Sequence, residues 1–215
     1  MRNVTETVKQ LIIINILFFI GTLLVSGPAY QYLALFFPEN PDFKAWQPIT
    51  YMFMHGGFMH IFFNMFALYS FGSALELFWG SKKFLFFYIS CGLGSALVHT
   101  GVNYYHFQEG LNTLLSNGFS KSEILQLLNE GKIDTRWQEL LTVSQFQNFT
   151  SAYIGTAVGA SGAIYGIIVA FAFMFPNAEL ALMFVPIPIK AKYFVPGLVL
   201  VDLYLGISGK SIFGG

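Results

Sequence analysis

The chain has 215 residues, of which 55% are hydrophobic, 18% aromatic and only 10% charged, and its formal net charge is zero. Its mean hydropathy is +0.60. A soluble globular domain carries about 25% charged residues, so this composition excludes an ordinary soluble globule and points to a membrane. No basic block or stripe is present, which removes the electrostatic footprint of a nucleic-acid-binding protein. The lone Cys91 can form neither an internal disulfide nor a zinc site, and reads as a small residue in an apolar run.

In chain order, five apolar runs are expected to be membrane helices: 10–27, 58–79, 84–105, 155–176 and 193–208. Each approaches the roughly 20 apolar residues that a hydrocarbon core requires. The first, with Arg2 and Lys9 before it and small residues at 27–29, has the outline of a signal peptide. Because more spans follow, it is expected to stay uncleaved. Arg2 and Lys9 precede the first run, Lys82 and Lys83 follow the second, and Lys190 and Lys192 follow the fourth. All three clusters fall on one side, which the positive-inside rule makes the cytoplasmic side. The expected protein is therefore an all-α, multi-pass membrane bundle with a cytoplasmic N-terminus, in a bacterial inner membrane.

Between the first two runs, AYQYLALFFPENPDFKAWQPITYMFMH combines many aromatics with three prolines. Such a loop is expected to lie in the outer interface. Residues 106–150 are the one stretch resembling soluble protein. There Ser120 and Glu123 form a capping-box pattern ahead of Ile124, Leu125, Leu127 and Leu128 at helical spacing. Two short amphipathic helices on the outer surface are expected, as an accessory insertion within a single membrane domain spanning 1–215.

Polar groups inside apolar runs are expensive unless they serve a purpose. The second run carries His60, Asn64 and Glu76, with His55 just ahead of it. His60 and Asn64 are one turn apart, about 40° from each other on a helix, whereas His55 is about 140° from His60 and belongs to the loop junction. The fourth run opens with Gly159, Ala160, Ser161 and Gly162. The second run descends from the outer face and the fourth begins there, so Ser161 and the His60–Asn64 pair share a depth. A hydroxyl, adjacent backbone amides and side-chain donors are the components of an acyl-transfer site. Gly162 and Gly166, four apart, also match a small-residue helix-packing pattern, and polar side chains that merely tie helices together explain the same residues. The soluble nucleophile elbow is absent, since Ala163 stands where its second glycine belongs. HExxH is absent too, and nothing convincing pairs with Asp202 as a second acid.

His55, His60 and Asn64, Glu76 at the far end of the same run, and GASG at 159–162 together closely resemble the rhomboid family of intramembrane serine proteases. Trp46 and Thr50 also fit, although many members have arginine where this chain has Gln47. The resemblance implies a six-helix bundle that cuts transmembrane protein substrates near the outer membrane face, with neither metal nor cofactor. It implies Ser161 as nucleophile, His60 and Asn64 as the oxyanion hole, and Tyr165 as the aromatic against which the catalytic histidine packs. Gly159, Gly162, His55 and Glu76 support the site. That histidine lies on the family's sixth helix, and here none of the four histidines follows Ser161. The expectation is a chain that continues past Gly215 into that helix. The alternatives are a non-catalytic rhomboid-like protein that binds or sorts membrane clients, or His99 as the base.

Overall fold

The computed structural model describes residues 4–182 and 185–207. Arg2, Lys210 and the glycine-rich stretch 208–215 lie outside them. The first helix, α1 (Glu6–Leu24), breaks at Val25 into α2 (Ser26–Leu33). The first loop then carries α3 (Gln47–Thr50) and a 3₁₀ turn, Tyr51–Phe53. Next come α4 (Phe58–Ala67), a π-helical turn (Leu68–Gly72) and α5 (Ser73–Trp79), continuous over 22 residues. The long α6 (Ser81–Ser116) is followed by α7 (Lys121–Asn129), α8 (Trp137–Leu140) and α9 (Val143–Ile154). Last are α10 (Ser161–Met174), a two-stranded antiparallel hairpin of β1 (Glu179–Leu182) and β2 (Val185–Lys190), and α11 (Ala191–Ile207).

Three of these helices, Glu6–Leu24, Phe58–Trp79 and Ser81–Ser116, are long and apolar enough to cross a membrane. The second expected span is reproduced. The third is longer than expected: at about 1.5 Å per residue its 36 residues measure roughly 54 Å, against a hydrocarbon core of about 30 Å. The fourth is shorter, because 155–160 are non-helical, with Ala157 bridged to Leu35, and the helix starts only at Ser161. Its 14 residues cover roughly 21 Å, so its first turn lies within the bundle's thickness.

The main core gathers side chains from α1, the α4–α5 helix, α6, α10 and α11, including Val8, Leu68, Leu75, Phe84, Tyr88, Ile164 and Ile167. Leu17, Leu97, Phe173 and Leu200 point outward and are largely exposed, as lipid-facing residues of a membrane bundle are. Where α10 crosses α6, a Cβ on Gly162 would collide with Ser95, and one on Gly166 with Cys91. The helices approach closely along this small-residue seam. Gly162 and Gly166 therefore face α6, not lipid, and Cys91 is a half-buried seam residue.

Glu76 is the tie at the end of the bundle opposite the first loop. Only 4% exposed, its carboxylate accepts the N–H groups of Thr7 and Val8 at 3.0 Å each, the Thr5 hydroxyl at 2.5 Å and the Ser81 hydroxyl at 2.7 Å. A negative group thus satisfies the free N–H groups at the start of α1 and also grips the first residue of α6. The role is structural.

The insertion is more than two short helices. The last turns of α6 with α7, α8 and α9 enclose a separate core of Phe107, Leu111, Leu114, Ile124, Leu128, Trp137, Phe149 and Tyr153. Ser120 caps α7 through the Glu123 N–H, while the complete reciprocal capping box belongs to Thr142 and Gln145 on α9. Phe37 of the first loop is buried in this same core.

Candidate active site

Ser161 opens α10, so the first N–H groups of that helix have no carbonyl of their own helix to bond. The residues before it are held by other segments. Leu35 of the first loop exchanges two hydrogen bonds with Ala157, at 3.0 and 2.9 Å, and the Gly159 N–H donates to the Tyr51 carbonyl at 2.9 Å. Gly159 adopts φ +135°, a backbone conformation that side chains rarely tolerate. Glycine takes this conformation without strain, and it turns the chain into the helix just ahead of the serine.

His60 lies across from it on the first turn of α4. The position a Gly159 Cβ would occupy is 2.9 Å from His60 Nε2 and 3.4 Å from Ser161 Oγ. The imidazole and the hydroxyl therefore converge on one bare Cα. On the other side of the ring, Nδ1 accepts a long hydrogen bond, 3.4 Å, from the Gly56 N–H. An accepting Nδ1 places the proton of the neutral ring on Nε2, so the atom facing Ser161 is a donor.

Asn64, one turn further along α4, is 5% exposed, and its Nδ2 has no hydrogen-bond partner among the described residues. A buried amide donor is costly unless water or another group satisfies it. It lines a small cavity of about 30 Å³ together with Ser161, Phe63, Tyr165 and Ile168. That volume admits a water molecule or a carbonyl oxygen. No side chain among the described residues hydrogen-bonds the Ser161 hydroxyl.

The supporting residues divide by position. Tyr165 follows Ser161 by one turn, and its hydroxyl donates to Asp202 Oδ2 at 2.6 Å, tying α10 to α11. Asp202 has its hydroxyl partner as a structural link. His55 is 1% exposed and meets the His60 ring edge-on, with centroids 5.0 Å apart. Burial first, then the His60 ring, lowers its pKa to about 3, so it stays neutral. His99 is engaged with Asn103 of its own helix at 3.0 Å. Gln47, fully buried, bonds four backbone groups of the first loop, at Gln31, Phe36, Asp42 and Lys44. Its neutral amide suffices to fold that loop without arginine's charge. Glu76 stands apart, twelve residues below Asn64 on the same helix. No group of three or more His, Cys, Asp or Glu among the described residues could hold a metal ion.

Sequence reasoning missed the Gly56 contact that fixes the His60 tautomer and the Leu35–Ala157 pairing that holds the serine segment. The HGG run at 55–57 was the available signal for the first. The second joins residues 122 positions apart and has none.

Three helices long and apolar enough to cross a membrane, packed into one bundle, mark an integral, multi-pass membrane protein of the helix-bundle class, with Ser161, His60 and Asn64 among its helices. The rhomboid domain profile matches residues 42–122, a stretch that holds His55, His60, Asn64 and Glu76 and ends before Ser161. Rhomboid protein 1, mitochondrial, of Saccharomyces cerevisiae is 24% identical over 136 residues, 63% of this chain and 27% of the relative. Rhomboid protease GluP of Bacillus subtilis is 36% identical over 52 residues, 24% of this chain and 10% of the relative. The chain thus spans little more than a quarter of the first of these relatives and a tenth of the second. Over these stretches the chain is similar to the rhomboid family.

Proposed function

We propose that this chain carries the nucleophile and oxyanion hole of an intramembrane serine endopeptidase acting on transmembrane protein substrates. The observation that carries the reading is that Ser161 Oγ and His60 Nε2 meet at Gly159, while Ser161 also lines one small cavity with Asn64, whose Nδ2 has no partner among the described residues. Ser161 Oγ attacks the scissile carbonyl carbon and loses its proton to a general base. The carbonyl oxygen becomes an oxyanion that accepts from His60 Nε2–H, Asn64 Nδ2–H and the N–H groups opening α10. Collapse expels the amine, which takes up the proton, and water then releases the acyl group from Ser161. No metal or cofactor enters these steps.

Among the described residues His60 is committed as a donor and His99 is bonded to Asn103, so neither is assigned as the base. The lysine pattern supports a cytoplasmic N-terminus, which puts Ser161 toward the outer face, and a bacterial inner membrane is the setting we assign. The second reading is a non-catalytic protein that binds membrane clients, since no histidine among the described residues is assigned as the acceptor of the Ser161 proton. Reconstituted full-length protein with a fluorogenic transmembrane substrate separates the two. The protease reading expects cleavage that Ser161→Ala abolishes. Client association without cleavage, unaffected by Ser161→Ala, establishes the second reading.

A further inference from the structure

We propose that Tyr153 is a positioning residue through which the 106–154 insertion holds the segment carrying Ser161; the claim rests on Ser161 as nucleophile. Residues 155–160 have neither helix nor sheet of their own beyond the single bridge to Leu35. Two of the six are glycines, so order must come from neighbours. Tyr153 stands at the head of this segment, on the last turn of α9, and is 1% exposed.

Its contacts join three parts of the molecule. The hydroxyl is shared between the Asn129 side-chain oxygen, at 2.7 Å, and the Glu39 carbonyl, at 3.1 Å. Its own backbone carbonyl accepts from Asn40 Nδ2 at 3.0 Å. Its ring packs on Phe37 of the first loop and Phe107 of α6, with centroids 5.9 and 5.4 Å away. Asn129 ends α7, so α7, α9 and the first loop meet at one phenol. Lys121, which opens α7, pairs with Glu39 at 3.1 Å beside it.

The first loop passes this restraint on. From the Phe37–Asn40 contact with Tyr153 the chain leads back to Leu35, which clasps Ala157 on both its N–H and its carbonyl. The serine segment is therefore held at Tyr153 on one side and at Ala157 and Gly159 on the other. Releasing the first hold lets the segment pivot about the second, and Gly159 moves relative to His60. A displacement of about 1 Å in such a site lowers rates by roughly a hundredfold, so a modest loss of order is already visible in reactivity.

The test uses full-length protein in nanodiscs and two variants: Tyr153→Phe, which removes the phenol's bonds to Asn129 and Glu39, and Asn40→Ala, which removes the bond to the Tyr153 carbonyl. Amide exchange across 155–160 and the rate of Ser161 labelling by a fluorophosphonate are read together with Tm. Removing one hydrogen bond of ordinary strength should speed exchange by about three- to tenfold. It should lower kinact by a similar factor, with KI and Tm nearly unchanged. Unchanged exchange and kinact in both variants overturn the proposal, and so does a kinact loss that merely follows a lowered Tm. A parent protein that takes no label at Ser161 overturns the nucleophile reading instead, and exchange alone then decides whether Tyr153 restrains the segment. If Tyr153→Phe fails to fold, Asn40→Ala decides both.

Discussion

His60 and Ser161 meet across Gly159: Nε2 and Oγ lie 2.9 and 3.4 Å from the point where a side chain on that glycine would begin. Gly159→Ala therefore faces two penalties, a methyl group against the imidazole and a residue forced to φ +135°. Backbone strain of this type costs about 1–3 kcal/mol. The variant should melt measurably lower and lose substrate cleavage by about a hundredfold or more, read by thermal melting and initial rates.

Asn64→Ala should separate stability from activity. Its Nδ2 has no partner among the described residues, so truncation removes a buried unsatisfied donor and leaves Tm equal or raised. Loss of one oxyanion donor lowers kcat by about 10²–10³. A kcat loss with KM preserved is the expected pattern.

Glu76→Ala should do the reverse. Four hydrogen bonds to one carboxylate leave the start of α1 and the head of α6 unsatisfied when it is removed. The expected loss exceeds about 2 kcal/mol, near the upper range for a helix cap, because these bonds are charge-assisted. Activity per folded molecule, measured below the new Tm, should remain close to that of the parent.

His55 sets a direction for pH. Its pKa falls from an ordinary 6.5 in the unfolded chain to about 3 in the fold. The unfolded state then binds the extra proton first, so the stability tied to a neutral His55 is complete above 6.5 and is lost as pH falls toward 3. His55→Asn should flatten the acid side of the stability curve in denaturation series across that window.

Much of the site could be read from local spacing. His60 and Asn64 fall one turn apart on a helix, and the 58–79 span is the element the structure reproduces most closely, because both depend on periodicity within one segment. What could not be read depends on distant partners. The fourth helix starts six residues later than hydropathy suggests, because Leu35 holds Ala157 in extended form. Glu76 looks like a site residue in a list of intramembrane polar groups, yet its partners at Thr5, Thr7 and Val8 lie some seventy positions earlier. Gly162 and Gly166 announce close packing without saying against what, and the answer is Ser95 and Cys91. The hairpin at 179–190 gave no period that outweighed its apolar surroundings.

The central claim is that Ser161 is a nucleophile facing donors prepared for an oxyanion. The most direct measurement is treatment of the full-length protein with a fluorophosphonate, followed by peptide mass spectrometry to locate the adduct. The account predicts one phosphonylated residue, Ser161, with the adduct absent in Ser161→Ala and formed at least about tenfold more slowly in Asn64→Ala, in keeping with a lost oxyanion donor. An adduct on another serine, or none while the protein remains folded, would contradict it.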